Sequence, residues 1–315
     1  MKSMERLNRA INFQETDRPP HFELCYQLVE EAFGKSFPPM DLFDKATAKE
    51  KDELFNECAE LHAKTIERFK WDAINVWYPG NRYEIQCEII PCLKKYIGDD
   101  FPIFAPVWLS FISLETVDDY MEFSIQLAEE PDEIHKWAAS MLKKAKMHLG
   151  KLAEAGAYGV AIANDSAFND GPFLSPAQHE EYVVPYLSDF IHEARSYGLK
   201  VLYHTDGNLM KILNQIIECR PDILHSIDPM ANMDIKTVKE LTYNKVALMG
   251  NVQCNYLQEG PDEKIIESAK YCLDNASKGG GYIFSSSNSI FKGLPLQNYE
   301  RMLEYFWKRY GIKIG

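Results

Sequence analysis

His204 and Asp206 stand two residues apart in Tyr203-His204-Thr205-Asp206-Gly207-Asn208. On an extended backbone such residues point to the same side. An imidazole and a carboxylate on one side can hold a metal ion such as Zn²⁺. They also suit general acid–base work, with the carboxylate orienting the imidazole. The plainer alternative is a hydrogen-bonded histidine at a strand end and an aspartate capping the next helix. Asn164-Asp165 ends another apolar run, before the loop SAFNDGPFLSP. Asp165 suits a metal ligand, a general base or a clamp on a cationic substrate; its plainer role is to start an Asx-turn. Asp228, before Pro229, and Asn251, after Gly250, read first as turn residues. His225 and Ser226 are adjacent, so strand alternation sends one of them to the helix-facing side.

These residues lie far apart in the chain and need a scaffold that gathers them. Short apolar runs rich in β-branched or aromatic residues fall at 21–27, 72–78, 101–108, 158–165, 199–206, 222–228, 245–252 and 280–286. Between most of them lie stretches of helical length with apolar residues at spacings of three and four. Ser175-Pro176 reads as an N-cap with proline at the first helical position, and Gly198 as the end of that helix. Continuous apolar strands alternating with helices make a parallel sheet covered on its faces. About eight such units predict a single α/β domain over residues 1–315, a (β/α)8 TIM barrel. Segment 84–100 does not fit a simple unit and reads as a strand-rich insertion, a hairpin near the barrel mouth.

Barrel active sites sit at the C-terminal ends of the strands. Those ends carry Glu23 and Tyr26, Asn75 and Trp77, Trp108, Asn164 and Asp165, and His204 and Asp206. They also carry Ser226 and Asp228, Asn251 and Gln253, and Ser285 to Asn288. Polar groups at the ends of apolar strands are costly unless partnered, so the set marks a site. Trp77, Tyr78, Trp108 and Phe111 predict an aromatic wall beside it.

Composition removes several function classes. With 34 Lys+Arg against 47 Asp+Glu the net charge is −13, so no nucleic-acid partner is expected. No apolar run reaches the ~18 residues of a membrane span. The start, MKSMERLNRAINFQETDRPP, lacks the apolar stretch of a signal peptide. The 7 Cys are an odd number, scattered, with no C-x-x-C. Reduced thiols in a cytoplasmic protein fit that pattern. No phosphate-cradling glycine loop and no nucleophile elbow occurs.

Motifs spread along nearly the whole chain resemble the uroporphyrinogen decarboxylase-like superfamily, which includes corrinoid-dependent methyltransferases. They are Arg6-Leu7-Asn8-Arg9-Ala10 with Asp17-Arg18-Pro19-Pro20, then Gly171-Pro172-Phe173-Leu174-Ser175-Pro176 with Tyr182 and Pro185-Tyr186. His204-Thr205-Asp206-Gly207-Asn208, Gly250-Asn251-Val252 and Tyr282-Ile283-Phe284-Ser285-Ser286 complete the set. The resemblance implies a barrel with its site at the C-terminal mouth. True decarboxylases carry an Arg-rich segment of the type M-R-Q-A-G-R-Y, where this chain has Cys25-Tyr26-Gln27-Leu28-Val29. A substrate with many carboxylates also needs Arg or Lys, and only Arg82 follows soon after a strand end.

The methyltransferase branch is similar at more points. Its members hold Zn²⁺ with a His-x-Cys and a later Cys; here Asp206 and Asn288 stand where the thiolates would be. The resemblance therefore implies either a harder O/N site, with Zn²⁺ as the candidate ion, or no metal at all. The expected activity is transfer of a methyl group from a small methoxylated or N-methylated donor to a corrinoid (cobalamin) on a partner protein. His204, Asp206 and Asp165 are the expected catalytic residues, with His204 and Asp206 as metal ligands if a metal is bound. Tyr26, Asn75, Trp77, Trp108, Asn164, Asn251 and Ser286 are the expected substrate contacts. A porphyrinogen-type decarboxylase and a non-catalytic barrel are the alternatives.

Overall fold

Seven parallel strands form one curled sheet in a computed structural model that describes residues 1–80, 82–108, 112–114 and 116–313. Phe111, expected in the aromatic wall, lies outside the described residues. The strands are β1 (Ile74–Asn75), β2 (Ile103–Pro106), β3 (Gly159–Ala163), β6 (Lys200–Thr205), β7 (Ile223–Ser226), β8 (Ala247–Val252) and β9 (Tyr282–Ser286). They stand side by side in that order. Between β3 and β6 a small antiparallel hairpin, β4 (Ala167–Phe168) with β5 (Gly171–Pro172), projects beyond the sheet. Each of the seven strands falls inside an apolar run read from the sequence, because residues buried on both faces must be apolar nearly throughout.

The first apolar run, 21–27, makes only isolated parallel bridges, His21 to Phe284 and Tyr26 to Ile290. It nevertheless makes hydrogen bonds to residues beside β9 and beside β1. On the β9 side the Phe284 amide donates to Pro20 O (2.8 Å) and the Gln27 amide to Ile290 O (2.8 Å). On the β1 side the Asp72 amide donates to His21 O (2.7 Å) and Asn75 Nδ2 to Leu24 O (2.9 Å).

Segment 84–100 is not strand-rich. It folds as a helix, Tyr83–Ile97, which buries Ile85, Gln86, Ile89, Ile90 and Leu93. Those positions recur at the helical period, so one face packs inward despite Pro91 inside the helix. The helix expected after Ser175 forms, with Ser175 Oγ accepting from the Gln178 amide and Pro176 at the first position. It breaks before Val184, and a second helix runs from Val184 to Ser196. Below the sheet, the buried Asp72 carboxylate accepts from Arg6 (2.5 Å), Arg18 (2.5 Å) and the His21 amide (3.0 Å). That cluster ties the N-terminal helix, Ser3–Ile11, to the run leading into β1. No helix among the described residues is long and apolar enough to cross a membrane.

Candidate functional site

β6 and β7 pair with His204 opposite His225, so both rings leave the same face of the sheet. Their Nδ1 atoms meet at 2.8 Å. His225 Nε2 lies 3.2 Å from Ser286 O at the end of β9. A carbonyl can only accept, so Nε2 of His225 carries a hydrogen. His225 is wholly buried, and burial, with His204 beside it, holds it well below the ordinary imidazole range. It is therefore neutral, and its Nδ1 is the acceptor. The proton between the rings belongs to His204 Nδ1.

His204 Nε2 then points away from His225 towards two carboxylates. Asp165 Oδ1 and Asp206 Oδ2 each lie 3.8 Å from it. The ligand atoms of Asp165, His204 and Asp206 all fall within 4.8 Å of one another. Asp206 is fixed from two sides: its amide donates to Asp165 Oδ1 (2.9 Å), and its Oδ2 accepts from Asn288 Nδ2. Asp206 Oδ1 is buried with no partner among the described residues. Asp228 faces the same group. Burial raises its carboxyl above the ordinary range, and the charges of Asp206 and Asp165 add to the rise.

Gly207 makes this approach of loops possible. Its φ is +86°, and a Cβ there would stand 2.1 Å from Ala167 O in the β4–β5 hairpin. The Asn208 amide donates to Phe168 O (2.8 Å), and the Ser166 amide to Thr205 Oγ1 (3.0 Å). The loop carrying Asp206 is thus laid directly on the hairpin that follows Asp165.

Behind the imidazole pair lies a second buried acid. Glu23 accepts from Ser285 Oγ (2.8 Å), Ser286 Oγ (2.7 Å) and the Ser286 amide (3.1 Å). Burial pushes its carboxyl up to about 7, against the lowering effect of those serine bonds.

The structure gathers Asp165, His204 and Asp206 and engages several of the expected substrate contacts in bonds and packing of their own. Tyr26 sits among Phe69, Trp71 and Tyr299, with its hydroxyl on Leu28 O (3.3 Å). Asn75 is spent on Leu24 O, and Asn251 on Ile227 O (2.6 Å) and Cys272 Sγ (3.2 Å). Ser286 is spent on Glu23 and, through its carbonyl, on His225. Trp77 and Trp108 do meet, edge to face with centroids 5.8 Å apart, and Trp108 is exposed. Asn164 is buried with neither side-chain atom partnered among the described residues. Sequence reasoning counted Glu23 among the strand-end residues that mark the site but gave it no role, and it left open whether His225 faces inward. The available signal for His225 was its position near the end of the strand next to His204.

Residues 55–308 match the family described as uroporphyrinogen decarboxylase (URO-D). The uroporphyrinogen decarboxylase of Aromatoleum aromaticum is 25% identical over 240 residues, covering 72% of this chain and 65% of that protein. The one from Carboxydothermus hydrogenoformans is 22% identical over 226 residues, covering 69% and 61%. The chain thus spans less than two thirds of the length of these curated relatives. A solved methyltransferase from Methanosarcina mazei shares the fold, with a TM-score of 0.76 at 19% identity over 98% of this chain and 99% of that one.

Proposed function

This chain belongs to the uroporphyrinogen decarboxylase family, and from that premise we propose that it is a methyltransferase. It moves a methyl group from a small methoxylated or N-methylated donor to a corrinoid held by a partner protein, in the cytoplasm. In this reading the run 21–27 is the eighth stave of a closed (β/α)8 barrel and the site lies at the mouth. The observation that carries the reading is His204 Nε2, faced by two carboxylates at 3.8 Å and held in one tautomer from behind.

The methyl–oxygen or methyl–nitrogen bond is inert until the leaving atom is protonated or bound by a Lewis acid. The methyl group passes to the reduced corrinoid, the bonding pair stays on the leaving oxygen or nitrogen, and that atom takes a proton from Nε2 of the His204 imidazolium, whose Nδ1 hydrogen stays hydrogen-bonded to His225. Asp165 and Asp206 face Nε2 of the charged ring and direct its second proton towards the substrate. Trp77 and Trp108 form an apolar wall for the donor. Asp165, His204 and Asp206 are also the residues that would hold a Zn²⁺ ion, and the unpartnered Asp206 Oδ1 fits an oxygen-rich donor set. Such an ion supplies Lewis acidity at the leaving atom.

The family name favours a second reading, decarboxylation of a porphyrinogen. A polyanionic substrate needs cationic side chains. Among the described residues, neither Asp206 nor Asp228 has a Lys or Arg within ion-pair distance. Arg6 and Arg18 are committed to Asp72, and Arg82 pairs with Asp44 (2.6 Å). The test is optical. A reduced corrinoid protein is mixed with this enzyme and a panel of methoxylated and N-methylated compounds. The absorbance of the reduced corrinoid should disappear with at least one donor, and uroporphyrinogen III should not be turned over. Coproporphyrinogen formation, with no donor active, would replace this reading with the second.

A further inference from the structure

We infer that His225 is a positioning residue: it fixes which nitrogen of His204 faces the carboxylates, and it is held in turn by Ser286 and Glu23. The inference deepens the role proposed for His204, but its test needs no methyl transfer.

The hydrogen bonds run in one direction. Glu23 Oε2 accepts from the Ser286 amide (3.1 Å) and lies 2.7 Å from its hydroxyl, whose single hydrogen is shared between Glu23 and Asn288 O (2.8 Å). That clamp aims the Ser286 carbonyl at His225 Nε2, 3.2 Å away. The carbonyl requires a hydrogen there, which leaves His225 Nδ1 as a lone pair facing His204 Nδ1 at 2.8 Å. His204 must then carry its hydrogen on Nδ1. Nε2 remains the nitrogen that exchanges a proton with a substrate or gives its lone pair to a metal.

Each link is buried. Glu23 is 1% exposed, Ser286 and His225 0%, and His204 6%. Water therefore cannot substitute for a lost partner without a cavity opening. The tautomer of His204 is set from inside the sheet, before any ligand arrives. This is the arrangement in which the second nitrogen of a ligating or acid–base histidine is fixed by a neighbouring group. A residue that only filled space would not need both of its ring nitrogens engaged. An apolar side chain of similar size would serve as well.

The experiment is ¹⁵N NMR of histidine side chains on the full chain, with a Co²⁺ titration at fixed pH as a second readout. The wild type should show His204 protonated at Nδ1, with Nε2 as the lone pair or the exchanging site. His225→Gln keeps both bonds, because its amide N–H can reach Ser286 O and its Oε1 can accept from His204 Nδ1. It should preserve the tautomer and the Co²⁺ affinity. His225→Leu should leave His204 with averaged ring signals and weaken Co²⁺ binding about 10–100-fold. If His225→Leu does not fold, the wild-type spectrum still decides. His204 protonated at Nε2 with a bare Nδ1 overturns the inference, as does a folded His225→Leu with an unchanged His204 tautomer. The predicted tautomer in an enzyme that demethylates no donor upholds this inference and removes the proposed function alone.

Discussion

Replacing His204 by Ala takes away the nitrogen that faces Asp165 and Asp206, and it also strands the buried Nδ1 of His225. Activity should vanish, and stability should fall by about 1–3 kcal/mol, the cost of an unsatisfied buried group. Asp206 is partly exposed, so Asp206→Ala should abolish activity while costing no more than ~1–2 kcal/mol. Urea denaturation beside a turnover assay separates the two; undiminished turnover in either variant contradicts the assignment. Glu23 gives a pH signature. Its carboxyl is raised from 4.5 to about 7, so the folded state binds this proton more tightly than the unfolded chain. The associated stability is full below about 4.5, is lost as pH rises to about 7, and changes no further above it. The span is about 3 kcal/mol at most. Glu23→Gln should therefore gain on the wild type by up to that amount between pH 4.5 and 8, and a flat difference across the range would refute it. His204, Asp206 and Asp165 could be picked from the sequence because each is a polar residue where an apolar run ends. His225 could not be placed, because alternation leaves open which of His225 and Ser226 faces inward until the register with β6 is known.

At the scale of elements, the approach of the β6 loop to the β4–β5 hairpin depends on Gly207. Gly207→Ala puts a methyl group into Ala167 O and forces a strained φ, so Asp206 should move away from Asp165. We expect metal affinity and turnover to fall together, with most of the far-ultraviolet circular dichroism retained; a fully active variant would show the loop to be indifferent. Asp72→Ala should be far more damaging to the fold. It leaves the buried Arg6 and nearly buried Arg18 without their shared carboxylate, a loss of about 3–5 kcal/mol. Equilibrium unfolding measures it, and a change under ~1 kcal/mol would rule out a structural role for the cluster. The strands were legible because continuous apolar runs bounded by polar ends have few other readings. Segment 84–100 was misread for a physical reason: Ile85, Cys87, Ile89 and Pro91 alternate with other side chains and mimic a strand. The burial of Ile85, Gln86, Ile89, Ile90 and Leu93 follows the helix instead. Run 21–27 was read as a strand and makes only isolated parallel bridges, and its buried Glu23 could not be matched to Ser285 and Ser286, residues more than 260 positions away.

Across the whole molecule, the polar ends of neighbouring parallel strands gather Asp165, His204 and Asp206, from two stretches of the chain, into one acidic site. The net charge of −13 sets the long-range field and disfavours polyanionic ligands. Membership of the family follows from a match over residues 55–308; the choice of methyl transfer over decarboxylation rests on the site. The most direct test of that choice follows the methyl group itself. A donor carrying a ¹³C-labelled methyl group is incubated with this protein and a reduced corrinoid partner, and the corrinoid is analysed by mass spectrometry. The account predicts the label on the corrinoid with the wild-type chain and none with His204→Ala. Label reaching the corrinoid equally well with His204→Ala, or an unlabelled corrinoid beside turnover of uroporphyrinogen III, would contradict it.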